Sequence, residues 1–312
     1  MTIDVTQLLK HKWLNTWGLF FVLSVPMCFF NVLAMLDTDI STPEGISHMI
    51  GYSVRWAIPF IYLVVAASSV KYLFSGPLTT WWMRNRKYIG FVFALAMAWQ
   101  ALFIFILSTS YRDYYFEQVF YFRDELEGSV GYIFLVAMVI TSFQFARKKL
   151  NQKQWKMIQK GGVYFLWAYA FSVYWWNLFY YPYYEVYAHP ELHDYVFYWM
   201  GFVVFAARIA AWGKMRYQAI DSDTLRYQAS GSVRLLGSLV VAAGLLAAAT
   251  GHYWYDLVSA VVSGPLWSQE LTLWLPFWPF EPFMPLFIIG IGTMLITKGR
   301  SESALSAAAS KA

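Results

Sequence analysis

Runs of about twenty apolar residues, recurring along the chain between short polar segments, limit what this polypeptide can fold into more than any other feature. A helix needs about 20 predominantly apolar residues to cross ~30 Å of hydrocarbon. Because no water satisfies backbone groups there, only helices and closed barrels can make the crossing. Eight such stretches are present, at 16–36, 50–74, 88–109, 129–146, 161–181, 194–213, 233–254 and 277–297. Composition agrees: 59% of the 312 residues are hydrophobic and only 13% are charged, against about 25% charged in a soluble domain. So little charge cannot coat a water-facing surface, which excludes a soluble enzyme, a disordered chain and a disulfide scaffold. The expected fold is all-α: a polytopic membrane bundle of about eight helices. The single cysteine, Cys28, lies in the first run, so neither an internal disulfide nor a thiolate metal cage is expected.

The charges set the orientation. Nineteen of the 23 lysines and arginines fall in alternate inter-span segments or at the span ends beside them, in groups around Lys10 and Lys12, Lys71 to Lys87, Arg147 to Lys160, Lys214 to Arg234, and Lys298 to Lys311. The intervening segments hold only Arg112 and Arg123. Basic residues stay cytoplasmic, so both termini are placed inside, in a cell membrane and by expectation a bacterial inner one. The net charge of +5 follows this membrane rule, so no nucleic-acid partner is expected; the lipid bilayer is. Residues 1–15 mix Leu8, Leu9, Trp13 and Leu14 with polar neighbours, the pattern of an interfacial segment.

The membrane interior is poor in chemistry. No Asp, Glu or Lys sits in the middle of a span, which argues against a proton relay or cation-coupled pathway. Arg55 and Arg208 lie near span ends, where snorkelling toward the head groups is the favoured reading and an anionic head group or a bundle partner the alternative. Of the five histidines, none falls within the second to sixth spans. His189, Glu191 and His193 make an outer HPELH segment whose i, i+4 imidazoles have metal-ligand spacing; Pro190 interrupts the helix that would align them, and solvated loop histidines are favoured. The run YWWNLFYYPYYEVY at 174–187 reads as an interfacial aromatic belt in preference to a cation cage.

Residues 55–106 and 128–176 resemble the ferric reductase-like transmembrane domain, the six-helix core shared by ferric reductases, NADPH oxidases and the heme-bearing membrane partner of periplasmic methionine sulfoxide reductase. The likeness rests on a basic turn leading into a glycine (Arg84, Arg86, Lys87, Gly90), on Thr141-Ser142 ending the fourth span, and on a basic loop with Trp155 entering the fifth. The resemblance implies heme held by histidines on the third and fifth helices. This chain departs from it there: the corresponding positions carry Gln100, Gln159, Val173 and Tyr174, and a glutamine amide is a poor substitute for imidazole. Heme is therefore not expected, interhelical hydrogen bonding is the favoured role of both glutamines, and no cofactor is assigned.

The expected organisation is an interfacial segment at 1–15, a six-helix core at 16–213, a cytoplasmic linker at 214–232, a C-terminal helical hairpin at 233–297 and a disordered tail at 298–312. No nucleotide-binding glycine motif follows a strand, so an enzyme is not expected. The proline- and tryptophan-rich stretch before PLFIIGIG is similar to the final hairpin of the small membrane subunit of TRAP transporters. The Gly/Ala/Ser-rich seventh span offers a surface for close helix approach. Three function classes follow: a heme-less scaffold or binding subunit with a membrane-protein partner and a quinone or lipid ligand; an accessory subunit of a transporter; and an electron-transfer component of a redox system.

Overall fold

The computed structural model describes residues 5–182, 189–221 and 229–298. The protein is all-α, with no strand among the described residues. Its long helices are α1 (Thr16–Asp37), α2 (Pro43–Leu73), α3 (Pro77–Ser110), α4 (Phe122–Thr141), α5 (Gln152–Phe179), α6 (Leu192–Asp221) and α7 (Gly231–Ala249), followed by α8 (Gly251–Val262), α9 (Leu266–Trp274) and α10 (Met284–Ile296). Five of them, α1, α2, α3, α6 and α7, are long and apolar enough to cross a membrane. The aromatic run at 174–187, the linker at 214–232 and the tail at 298–312 all extend into segments outside the described residues.

Helix ends differ from the hydropathy reading where capping overrides apolarity. α2 and α3 open on Pro43 and Pro77, whose fixed φ suits the first helical turn and whose missing N–H costs nothing there. At α3 the Gly76 amide donates to Thr79 Oγ1 at 3.1 Å. The helix therefore starts eleven residues before the expected span and carries Arg84, Arg86 and Lys87 as helical residues. α2 likewise begins at Pro43 and α6 at Leu192, which corrects the placement of two histidines: His48 and His193 lie inside these helices, near their starts. The seventh span was expected to reach 254, but α7 stops at Ala249 and α8 begins at Gly251. The last span shortens to 13 residues, because Phe277 and Phe280 take positive φ among the prolines. At ~1.5 Å per residue α10 is about 20 Å long.

The chain divides into two compact units, one of residues 1–71 and 75–170, the other of residues 72–74 and 171–312; the division falls inside α5. The first unit holds α1 to α4 and the beginning of α5. Its N-terminal segment is tied to α3: the Thr16 amide donates to Asn85 Oδ1 at 2.9 Å, Asn85 Nδ2 donates to Asn15 Oδ1 at 3.2 Å, and Trp81 Nε1 donates to the Leu14 carbonyl at 2.7 Å. Asn85 is fully buried. Trp17 stacks on Phe91, and Phe91 on Phe143, at 5.5 and 5.3 Å between ring centroids. Near the ends of α1 to α3, Ile46, Met49, Phe103, Leu107 and Tyr115 form an apolar core.

In the second unit α7 packs antiparallel against α10. A Cβ built on Gly237 would lie 2.8 Å from the Gly292 carbonyl oxygen, one on Gly244 2.9 Å from the Pro285 oxygen, and one on Gly292 2.6 Å from the Gly237 oxygen. Only glycine lets the two backbones meet so closely. The small-residue face of α7, read from the sequence as a surface for close helix approach, is thus covered by α10 of the same chain. α7 instead turns Leu235, Leu239 and Leu246 outward. Trp175 is fully buried among Trp176, Phe179, Trp254 and Tyr255, and the Tyr198 hydroxyl donates to the Ala248 carbonyl at 2.7 Å.

Candidate functional site

The first unit contains a cavity of about 490 Å³ where α3 and α5 begin and α4 ends. Pockets of this size take small-molecule ligands. Its deeper lining is apolar, with Ile61 and Val64 from α2, Phe93 from α3, Leu135 and Met138 from α4, and Val163 from α5. Its mouth carries six cations: Arg84, Arg86, Lys87, Arg147, Lys156 and Lys160. No acidic residue lines it, and the sequence has none between Glu44 and Asp113 or between Glu127 and Glu185. Among the lining residues the positive charge therefore meets no carboxylate.

Local structure explains how the site is held. The last carbonyls of a helix lack intrahelical donors, and α4 ends facing α3 and α5. Lys87 Nζ donates to the Ser142 carbonyl at 2.7 Å, Trp155 Nε1 to the Thr141 carbonyl at 3.2 Å, and Gln159 Nε2 to the Met138 carbonyl and to Thr141 Oγ1, both at 3.0 Å. A cation at a helix C-terminus is also favoured by the macrodipole. The Lys87 ammonium lies over the rings of Phe91 and Phe143 at 5.4 and 5.5 Å, and the Arg147 guanidinium over Trp155 at 4.9 Å. Arg84 donates to Asn15 Oδ1 at 2.5 Å. All these partners are neutral, so the bonds orient the cations without cancelling their charge. Gly162 lets α5 come close to α4: a Cβ there would sit 2.3 Å from Met138 Sδ and 3.3 Å from Phe134 Cβ.

Every residue that carried the family resemblance lines this one cavity: Arg84, Arg86, Lys87, Gly90, Thr141, Ser142 and Trp155; so does Gln159, one of the positions where the chain departs from it. The other sequence candidates are dispersed. Gln100 lies on α3, where its Oε1 accepts from the Tyr132 hydroxyl of α4 at 3.0 Å. Val173 is exposed, while Tyr174 is buried with its ring edge-on to Phe197 and His193. Arg55 is exposed and Arg208 half-buried. His189 is exposed and precedes α6, whereas His193 sits in its first turn, with Nδ1 3.0 Å from Glu191 Oε2 and Nε2 3.5 Å from Asp194 Oδ1. Asp194 Oδ2 accepts from the Glu191 amide at 2.9 Å and Oδ1 from Asn177 at 2.9 Å, the work of a residue that fixes a helix start. Among the described residues no group of three or more His, Cys, Asp and Glu side chains is placed to hold a metal ion.

The apolar half of the cavity was not legible in the sequence, since Ile61, Val64, Leu135 and Val163 are ordinary members of apolar runs; only helix packing brings them under the basic mouth. Compared with known proteins, the chain matches no family model, no curated protein and no solved structure.

Proposed function

We propose that this chain is a multi-pass membrane protein, with eight membrane-inserted helices and its basic side cytoplasmic, that binds an amphiphile with an anionic head group. It serves as a heme-less scaffold or binding subunit of a membrane complex. The observation that carries the reading is the cavity, six cations at its mouth and an apolar interior behind them, which fits a head group at the interface and a tail directed between helices. The absence of histidine from Gln100, Gln159, Val173 and Tyr174 supports a role without heme. The second membrane protein of the complex would meet lipid-facing surface such as the outward leucines of α7.

Gly90 supplies the test. It lines the cavity, and a Cβ there would meet only Val64 Cγ2, at 3.8 Å. Gly90→Leu should fill the cavity without straining the backbone. The protein purified in mild detergent should carry a bound amphiphile detectable by mass spectrometry, and Gly90→Leu should lose it while keeping its helicity. Equal retention in the variant would overturn the assignment of the site. The purified protein should also show no Soret band near one heme per chain; such a band would favour the redox alternative.

A further inference from the structure

The cavity's charge distribution says which anion it takes. We infer that the head group is a phosphomonoester or diphosphate, carrying about two negative charges or more, on a lipid-like tail. This rests on the proposed reading of the cavity as an amphiphile site.

The six cations are not equivalent. Arg84, Lys87 and Arg147 are committed to neutral partners: Asn15, the Ser142 carbonyl, and the Leu150 carbonyl with the Trp155 ring. Lys156 and Lys160 line the same cavity but make no hydrogen bond or ion pair to another described residue. They stand at i and i+4 on α5, so they share one face of the helix, and like charges at that spacing repel. Two lysines one turn apart on one wall, with no carboxylate among the lining residues, leave a cost that no described residue relieves. A ligand relieves it by supplying negative charge to that wall.

A phosphodiester head brings one negative charge and can neutralise one of the pair. A phosphomonoester brings about two near neutral pH and three acceptor oxygens, enough to accept hydrogen bonds from both lysines and to leave an oxygen for a further donor. Arginine suits phosphate through its planar fork, and lysine serves as a point charge. Arg86, on α3, lines the same mouth. The apolar lining of Ile61, Val64, Leu135 and Val163 then separates a lipid from a free phosphate: it adds affinity only where a tail is attached.

Native mass spectrometry of the full chain in detergent, titrated with dioleoyl phosphatidic acid, with dioleoyl phosphatidylglycerol and with inorganic pyrophosphate, tests this. Phosphatidic acid should bind at least about tenfold tighter than phosphatidylglycerol, a difference of about 1.4 kcal/mol. Lys156→Gln combined with Lys160→Gln should abolish that preference, and Lys156→Arg combined with Lys160→Arg should keep it, which distinguishes lost charge from lost folding. Equal binding of the two lipids, or a preference that survives the double glutamine variant, overturns the phosphomonoester assignment and leaves the amphiphile site standing. Pyrophosphate binding as tightly as phosphatidic acid overturns the lipid part, making the ligand a free anion. If neither lipid binds, the amphiphile reading falls as well.

Discussion

The antiparallel contact of α7 and α10 makes a prediction whose sign can be read from two glycines on the same helix. Gly290 and Gly292 both lie inside α10. A Cβ added at Gly290 meets nothing within 4 Å, whereas one at Gly292 would lie 2.6 Å from the Gly237 carbonyl oxygen, 2.7 Å from Val241 Cγ2 and 2.8 Å from the Val241 amide nitrogen. Two of those three atoms belong to the α7 backbone, which cannot swing aside as a side chain can. Gly292→Ala must therefore push the helices apart, and a gap of 0.5–1 Å already forfeits a quarter to a half of each contact's attraction. Forced overpacking of this kind costs about 1–3 kcal/mol. Alanine is favoured over glycine in a helix by about 1 kcal/mol, but both variants gain that equally, so it cancels between them. Gly290→Ala should thus be neutral to stabilising, and Gly292→Ala less stable than it by about 1–3 kcal/mol. Unfolding in mixed micelles with rising SDS, followed by tryptophan fluorescence and helicity, measures the pair. A Gly292→Ala protein as stable as Gly290→Ala would refute the close contact.

Three further outcomes are expected. Asn85→Leu, at a fully buried position, removes the acceptor of the Thr16 amide and one of the two donors to Asn15 Oδ1, which keeps Arg84; the orphaned amide costs about 1–3 kcal/mol, so the same unfolding assay should show a clear loss, and a neutral result would mean the N-terminal segment does not dock on α3. The Asp39 carboxyl is held below its usual value by the Ser41 hydroxyl and then by the Ser41 amide. Its folded value being depressed, it contributes stability above the unfolded value of 3.8 that is lost as pH falls through the folded one. Asp39→Asn should therefore be less stable than the parent at pH 7 and equal to it in strong acid; a difference independent of pH would contradict this. Orientation is tested in intact cells after Cys28→Ser: a cysteine at exposed position 189 should react with an impermeant maleimide and one at exposed position 153 should not, and the reverse pattern would invert the topology.

How much of this was legible in the sequence depends on the range of the force involved. Apolar runs are local, and each of the eight expected stretches contains a helix, five of the helices being long and apolar enough to cross a membrane. Their ends were less legible, because hydropathy stops at the first charges while the helix stops at a cap. α3 continues through Arg84, Arg86 and Lys87 to Pro77, and α5 through Lys160 to Gln152, since a helix at the head-group zone can expose cations on one face. The Asn15–Asn85 bond joins residues 70 positions apart and left no local signal. The opposite holds for the site. Its basic turn, its Thr-Ser pair and its Trp155 loop were visible in order, but what they enclose depends on α2, whose Ile61 and Val64 carry no mark of function. The small residues of α7 were visible too; that they meet Gly292 and Pro285 was decided by tertiary packing.

Cations at the mouth of the cavity serve two physical ends, and the division between them follows the helices. Lys87 finishes α4 by binding the Ser142 carbonyl and lying over Phe91 and Phe143, with Gln159 and Trp155 completing the same helix end. Removing any of these leaves carbonyls without donors at a helix terminus, so their loss belongs to folding. Lys156 and Lys160 complete nothing within the described residues, yet they face the same space. Two such lysines on one wall are held against their own repulsion by the stability of α5, a cost that folding alone gives no reason to keep. An anion of the proposed kind would offset that cost on binding, and the helix that carries the lysines is the same one whose Gly162 lets it reach Met138 at the cavity's apolar wall. Head-group charge and tail packing are thereby coupled through a single element, so a ligand that satisfies one without the other should bind more weakly than one that satisfies both.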